Sequence, residues 1–170
     1  NNLPINLYYE ENDTLTGGYY AIANDNLISY NGNGYSIDNL YAGAAESAGI
    51  FSSISEDATE FTVKNLTLNN GIFTGSDTES ASAAIIAYAG ESSTAVPGVI
   101  TFRNIKLNSD PSTGLKCIKV DSANDVGGLI GGTNKSVKIE YCSLKGDGIV
   151  IGTNSDEKAD AGGFVGYSSS

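Results

Sequence analysis

The sequence predicts an all-β chain wound as a single-stranded parallel β-helix, a solenoid of about four coils with irregular loops. Three observations lead there. Four segments align with one another without gaps, a second set of short segments does the same, and the two sets alternate along the 170 residues. Self-similarity of this kind outranks any reading of single elements, because it sets the architecture.

The first set is Tyr35-Ser-Ile-Asp-Asn-Leu-Tyr-Ala42, Phe61-Thr-Val-Lys-Asn-Leu-Thr-Leu68, Ile100-Thr-Phe-Arg-Asn-Ile-Lys-Leu107 and Val137-Lys-Ile-Glu-Tyr-Cys-Ser-Leu144. Apolar and polar residues alternate with period two, the mark of a half-buried strand. Tyr35, Phe61, Ile100 and Val137 form one inward column, and Ile37, Val63, Phe102 and Ile139 a second. Leu40, Leu66, Ile105 and Cys142 form a third; Ala42, Leu68, Leu107 and Leu144 form the fourth. Between the second and third columns the alternation skips one residue: Asn39, Asn65, Asn104 and Tyr141. A skip means a bend, and Asn tolerates the backbone angles a bend requires. Asn39, Asn65 and Asn104 are therefore expected to stack as a corner ladder. Successive copies start 26, 39 and 37 residues apart, too far for hairpins and suited to parallel neighbours. The intervening chain is rich in Gly, Ser, Asn and β-branched residues without a helical apolar stripe, so helical crossovers are not expected. Spacing differences are assigned to loops at Asp77–Ser82, Glu91–Gly98 and Asn108–Gly114.

The second set is Gly49-Ile-Phe-Ser52, Ala84-Ile-Ile-Ala87, Gly128-Leu-Ile-Gly131 and Gly163-Phe-Val-Gly166. Ala replaces Gly at two of these positions, so they require small volume rather than a positive φ. Both central columns are apolar. One should point inward and the other be covered by a loop or neighbouring module, and the pattern does not say which. Residues 1–170 read as one domain, with 1–26 either a cap or a first irregular coil; Tyr19-Tyr-Ala-Ile-Ala23 is the candidate strand there. Asn1 at the start and the abrupt Gly166-Tyr-Ser-Ser-Ser170 end read as a piece of a longer protein.

Composition excludes much chemistry. There is no His, Trp or Met, so no Ser-His-Asp triad, Cys-His pair or imidazole base exists within the chain. Twenty acids against nine bases give a net charge of −11, which disfavours nucleic acid and anionic membrane surfaces. Residues 1–63 hold nine acids and no Lys or Arg, an acidic third read as a solvated surface, with a cation or basic-partner surface as the alternative. No apolar run reaches the ~18 residues of a membrane helix.

The Gly-Leu-Ile-Gly and Gly-Phe-Val-Gly cores, each within a Gly-Gly-apolar-apolar-Gly run, resemble the GLUG motif. So does the lead-in Asn31-Gly-Asn-Gly-Tyr-Ser-Ile-Asp-Asn-Leu40. Ser52, Ala84 and Ala87 depart from the pattern, and the resemblance covers about residues 27–167. That family occurs in bacterial surface adhesins and beside the catalytic part of immunoglobulin A peptidases. The resemblance implies a right-handed parallel β-helix with an extracellular, non-catalytic role.

Candidate constellations are few. Asp38, Lys64, Arg103 and Glu140 share an outward column, a solubilising face whose sharper reading is an anion or acidic-glycan contact at Lys64 and Arg103. The outward lines Ser36, Thr62, Thr101, Lys138 and Tyr41, Thr67, Lys106, Ser143 contain no paired carboxylates, so no catalytic residue is assigned. Asn154, Asp156, Glu157 and Asp160 offer oxygen ligands suited to calcium, but without EF-hand spacing; no metal or cofactor is assigned. Cys142 falls in a core column and Cys117 on another face, so no bridge between them is expected. These readings point to a secreted or cell-surface stalk or adhesin module that displays binding loops rigidly to a glycan or protein ligand. The alternatives are a substrate-positioning region beside an immunoglobulin A-type peptidase and a polysaccharide-cleaving β-helix enzyme.

Overall fold

A computed structural model describes residues 28–42, 47–75, 81–90, 97–110, 118–122, 124–153 and 159–169, together with four short strands within the first 24 residues. Those four are β1 (Leu3–Pro4), β2 (Tyr8–Glu11), β3 (Thr14–Gly17) and β4 (Ile22–Asn24). Then follow β5 (Ser29–Asn31), β6 (Ser36–Ala42), β7 (Phe51–Ile54), β8 (Glu60–Thr74), β9 (Ser82–Ala83), β10 (Ile86–Ala89), β11 (Val99–Ser109) and β12 (Ile118–Ser122). The last are β13 (Val126–Gly127), β14 (Ile130–Thr133), β15 (Ser136–Glu140), β16 (Ser143–Gly146), β17 (Val150–Thr153), β18 (Ala161–Gly162) and β19 (Val165–Ser168). The described residues contain no helix.

All strand pairs are parallel except the β2–β3 hairpin. The largest sheet runs β1-β6-β8-β11-β15, a second runs β4-β7-β10-β14-β19, and a third is β9-β13-β18. From β8 onward the chain visits them in a fixed order. It passes through the largest sheet, the third and the second, and re-enters the largest one strand further along. Of the candidate strand at residues 19–23, Ile22 and Ala23 lie in β4, which pairs with β7, and residues 19–21 lie outside the described residues.

The second, third and fourth copies of the strand set stack as the sequence aligns them. Phe61 pairs with Ile100, Val63 with Phe102, Leu66 with Ile105 and Leu68 with Leu107. Ile100 then pairs with Val137, Phe102 with Ile139 and Leu107 with Leu144. Each column from Phe61, Val63, Leu66 and Leu68 is buried over β8 and β11. Phe51 meets Phe61 edge-on at 5.4 Å between ring centres, and Tyr30 meets Phe51 at 5.6 Å. These contacts join the second sheet to the first through one core.

The first copy is displaced by five residues. Ser36 pairs with Thr67, Ile37 with Leu68, Asp38 with Asn69 and Leu40 with Gly71; the partners of Thr62, Val63 and Lys64 are Ser29, Tyr30 and Asn31. The Gly-rich turn forces this. Gly32 and Gly34 donate their N–H groups to the carbonyls of Lys64 and Asn65, at 2.9 and 2.8 Å. A Cβ on Gly32 would sit 2.6 Å from the Asn65 carbonyl oxygen, so only glycine allows the approach. Tyr35 therefore ends the turn and is 56% exposed instead of joining a core column. Ser36 and Tyr41 leave the outward lines assigned to them, and Asp38 leaves the charged column. Two loop boundaries also move. Ser82 is buried in β9, and Asn108 lies within β11; residues 77–80, 91–96 and 111–114 of those loops lie outside the described residues.

The skipped positions are corners. Asn39, Asn65, Asn104 and Tyr141 all take positive φ, at 56°, 54°, 53° and 56°. Asn70 does the same at 56°, giving β8 two corners. In the second set, pairing follows the alignment: Phe51 with Ile86, Ile86 with Ile130, and Ile130 with Val165. Both apolar columns enter the same core, because the chain bends at Ala84–Ile85 and at Gly128–Leu129 between the third and second sheets. No covering module is needed for Ile50, Ile85 or Leu129. None of Gly49, Gly128, Gly131, Gly163 and Gly166 takes positive φ, so volume is the constraint.

Two outcomes test this packing. A Cβ on Gly131 would lie 2.6 Å from the Ser82 carbonyl and 2.7 Å from that of Ala87, whereas one on Gly163 meets nothing within 4 Å. Gly131→Ala should destabilise by about 1–3 kcal/mol, and Gly163→Ala by under about 0.5 kcal/mol, in urea unfolding. Equal effects would contradict the stacking. Tyr141 occupies a left-handed corner that Asn fills on the two preceding strands, and bulky residues are disfavoured there. Tyr141→Asn should raise stability by about 1 kcal/mol; a fall in the unfolding midpoint would contradict this.

Candidate functional site

The corners carry side-chain ladders, and one pair of ladders lines a groove. At the first corner Asn104 Nδ2 donates to Asn65 Oδ1 at 3.0 Å, and Asn65 Nδ2 donates to Asn31 Oδ1 at 3.2 Å. The expected Asn39–Asn65–Asn104 ladder thus holds for its last two members, with Asn31 in place of Asn39. Asn39 stacks at the second corner, where its Oδ1 accepts from Asn70 Nδ2 at 3.4 Å. One residue earlier a third ladder runs: Asn69 Nδ2 donates to Asp38 Oδ1 at 2.6 Å, and Asn108 Nδ2 to Asn69 Oδ1 at 3.0 Å. Asp110 closes the corner with its backbone N–H on Asn70 Oδ1 at 2.7 Å. Asp38, Asn39, Asn69, Asn70, Asn108 and Asp110 together line a groove of about 500 Å³.

The groove was readable only in part. The doublets Asp38-Asn39 and Asn69-Asn70, 31 residues apart and each followed by Leu-Tyr-Ala or Gly-Ile-Phe, were its signal. Aligning Asp38 with Lys64 concealed it.

The charged column survives without Asp38. Lys64 pairs with Arg103, and Arg103 with Glu140. Arg103 Nε donates to Glu140 Oε2 at 2.5 Å, and Lys138 Nζ lies 2.9 Å from Glu140 Oε1. Hydrogen bonds from Lys138 and then Arg103 hold the Glu140 carboxyl below the usual range. Glu140 is thus shared between Arg103 and Lys138, while Lys64 lies on the other side of Arg103 in the strand register. These pairs are exposed and contribute little to stability.

Thr62, Thr101 and Lys138 do share an outward line, as do Thr67, Lys106 and Ser143. Of the calcium candidates, Asn154, Asp156 and Glu157 lie outside the described residues. Asp160 is exposed, and its N–H donates to Asp125 Oδ1 at 3.0 Å. Among the described residues no three His, Cys, Asp or Glu side chains are grouped to hold a metal. Cys142 is a half-buried free thiol whose single S–H has the carbonyls of Phe102 and Glu140 as alternative acceptors; burial raises its pKa. Cys117 lies outside the described residues. No described helix is long and apolar enough to cross a membrane.

One buried charge escaped the sequence entirely. Lys135 is fully buried, and its ammonium donates to the carbonyls of Glu56 at 2.5 Å and Pro97 at 3.3 Å. It pins the turns that precede β8 and β11 to the turn that precedes β15. Nothing in Asn134-Lys135-Ser136 marks it, since a lysine between strands ordinarily faces water. Burial lowers its pKa, against the opposing pull of Asp57 and Glu56.

No protein-family model matches the chain, and neither a curated protein nor a solved structure matches it.

The Lys135 shift has a pH consequence. A lysine whose folded pKa lies below its unfolded value costs stability while both states are protonated. That cost is relieved as pH rises through the folded pKa towards the ordinary 10.5. Wild-type stability relative to Lys135→Met should therefore increase as pH approaches 10.5. Chemical unfolding of both proteins across that range checks it, and a flat or falling difference would refute the assignment.

Proposed function

We propose that the chain is a segment of a right-handed, single-stranded parallel β-helix of about four coils, resembling the GLUG-motif family. On this reading it is a non-catalytic stalk or adhesin module of a secreted or surface-attached bacterial protein. The observation that carries it is the unbroken parallel register from β6 through β8 and β11 to β15, with the second and third sheets in step. A stack of this kind is stiff along its axis, because each strand is hydrogen-bonded and packed on its neighbours. The outward surface then serves recognition. Polar side chains held at strand spacing give a fixed template, and the segments between strands vary freely in length. The ligand is a glycan or a protein outside the cell.

The experiment offers the purified 170-residue chain to a glycan and matrix-protein array, and in parallel to a polysaccharide panel assayed for reducing ends. Binding without release of ends is the expected result. Release of reducing ends would replace the module with an enzyme. A far-ultraviolet spectrum dominated by helix would remove the β-helix itself.

A further inference from the structure

We propose that the groove between the Asp38–Asn69–Asn108 and Asn39–Asn70 ladders is a binding site for a neutral polyhydroxylated ligand, a saccharide chain lying across β6, β8 and β11. The inference rests on the reading of the chain as a recognition module and adds where it binds and what chemistry it takes.

The direction of the side-chain amides decides the ligand class. Asp38 only accepts, so Asn69 must turn its Nδ2 towards it, at 2.6 Å. That leaves Asn69 Oδ1 to face Asn108, which must then present its own Nδ2, at 3.0 Å. The strand register places Lys145, a pure donor, beside Asn108, which favours the same direction. In the neighbouring column the backbone N–H of Asp110 fixes Asn70 Oδ1 from the far end, and Asn70 Nδ2 faces Asn39 Oδ1. The amide orientations are set by groups that cannot flip.

Three ligand classes can then be weighed. A cation site needs several hard oxygens brought together, yet the lining carries only two carboxylates, Asp38 and Asp110, and among the described residues no three Asp, Glu, His or Cys side chains are grouped to hold a metal. An anion meets two carboxylates, Asp38 and Asp110, on the groove lining. A neutral polyol fits. Each carboxamide carries two N–H bonds, and in Asn69 and Asn108 the column uses one. That leaves a second N–H on each as donor capacity at the groove lining, while Asp38 supplies further acceptor capacity at one end. Hydroxyl groups both donate and accept, so they match donors flanked by carboxylates. The ladders repeat at the spacing of adjacent strands, roughly 4.8 Å, which suits a ligand of repeating units over a single compact one. A groove of about 500 Å³ is of the size small ligands occupy.

The test is a titration of the isotopically labelled chain followed by its side-chain amide resonances. The probes are cellohexaose and maltohexaose as neutral chains, trigalacturonic acid as an anionic one, and calcium chloride alone. A neutral hexasaccharide is expected to shift the amides of Asn39, Asn69 and Asn108, half-saturating at about 1 mM or below, and to leave Asn65 and Asn104 unmoved. Asp38→Asn releases the column's fixed direction and should weaken that binding about tenfold, while Thr101→Ala on the outward face should leave it unchanged. The wild-type titration needs no variant to fold. Shifts produced by trigalacturonic acid or calcium in place of neutral sugars would overturn the proposal, as would no shift from either hexasaccharide at about 10 mM. Array binding that leaves Asn69 and Asn108 undisturbed would also overturn it, and would leave the recognition module standing with its contact elsewhere.

Discussion

The left-handed corner is the constraint on which the structure depends. Where β6, β8 and β11 turn within their parallel pairing, one residue takes positive φ, and it recurs at the same place on the next strand. Asn65 and Asn104 do this at one corner, and Asn39 and Asn70 at the other. Asparagine serves twice. It takes the left-handed backbone at low cost, and its carboxamide both donates and accepts, so it bonds the residues above and below it. A strand shifted by one residue would bring a residue such as Lys64, Leu66, Arg103 or Ile105 to the left-handed corner in place of Asn and send its apolar side chains outward. Backbone conformation, side-chain ladder and core burial therefore favour the same register.

The same device explains which parts of the fold were legible. The alternation and the skip read correctly for β8, β11 and β15, because each has one candidate corner in its aligned segment, and the small-residue motif gives the pairing of β7, β10, β14 and β19. The first copy did not, because β8 contains two corners, at Asn65 and Asn70, with similar flanking residues. Ile37-Asp38-Asn39-Leu40 matches Leu68-Asn69-Asn70-Gly71 as well as it matches Val63-Lys64-Asn65-Leu66. The choice between them lies in the Asn31–Tyr35 turn, whose glycines dock on the Asn65 corner. A gapless comparison cannot express that turn, and Tyr35, Asp38 and the groove were misplaced together. Lys135 was invisible for another reason: its burial is created by turns some 38 and 79 residues away in the chain.

Burial in this architecture comes from neighbours on both sides. Phe102, between Val63 and Ile139, is fully buried, whereas Ile139 in the same column is 38% exposed. Gly128 could not accept a Cβ because the Gly163 carbonyl lies against it, yet Gly163 itself has open space. None of the described residues 136–169 is fully buried, although their strands pair in perfect step with those before them. The stabilising unit is thus the stack, in which each strand completes the one before it.

This gradient bears on where recognition is best placed. The groove spans β6, β8 and β11, each of which is hydrogen-bonded to a strand on either side. Leu40, Leu66, Leu68, Phe73, Ile105 and Leu107 lie buried beneath these strands, so their backbones are held by core packing. Side chains mounted on such strands lose little further freedom when a ligand binds, because the ladders have already ordered them. The charged column, by contrast, ends on β15, none of whose residues is buried, and Glu140 is shared there by Arg103 and Lys138. A preordered polar surface over the best-packed strands is where weak hydroxyl contacts can add up to binding, and the Asp38–Asn69–Asn108 ladder occupies that position.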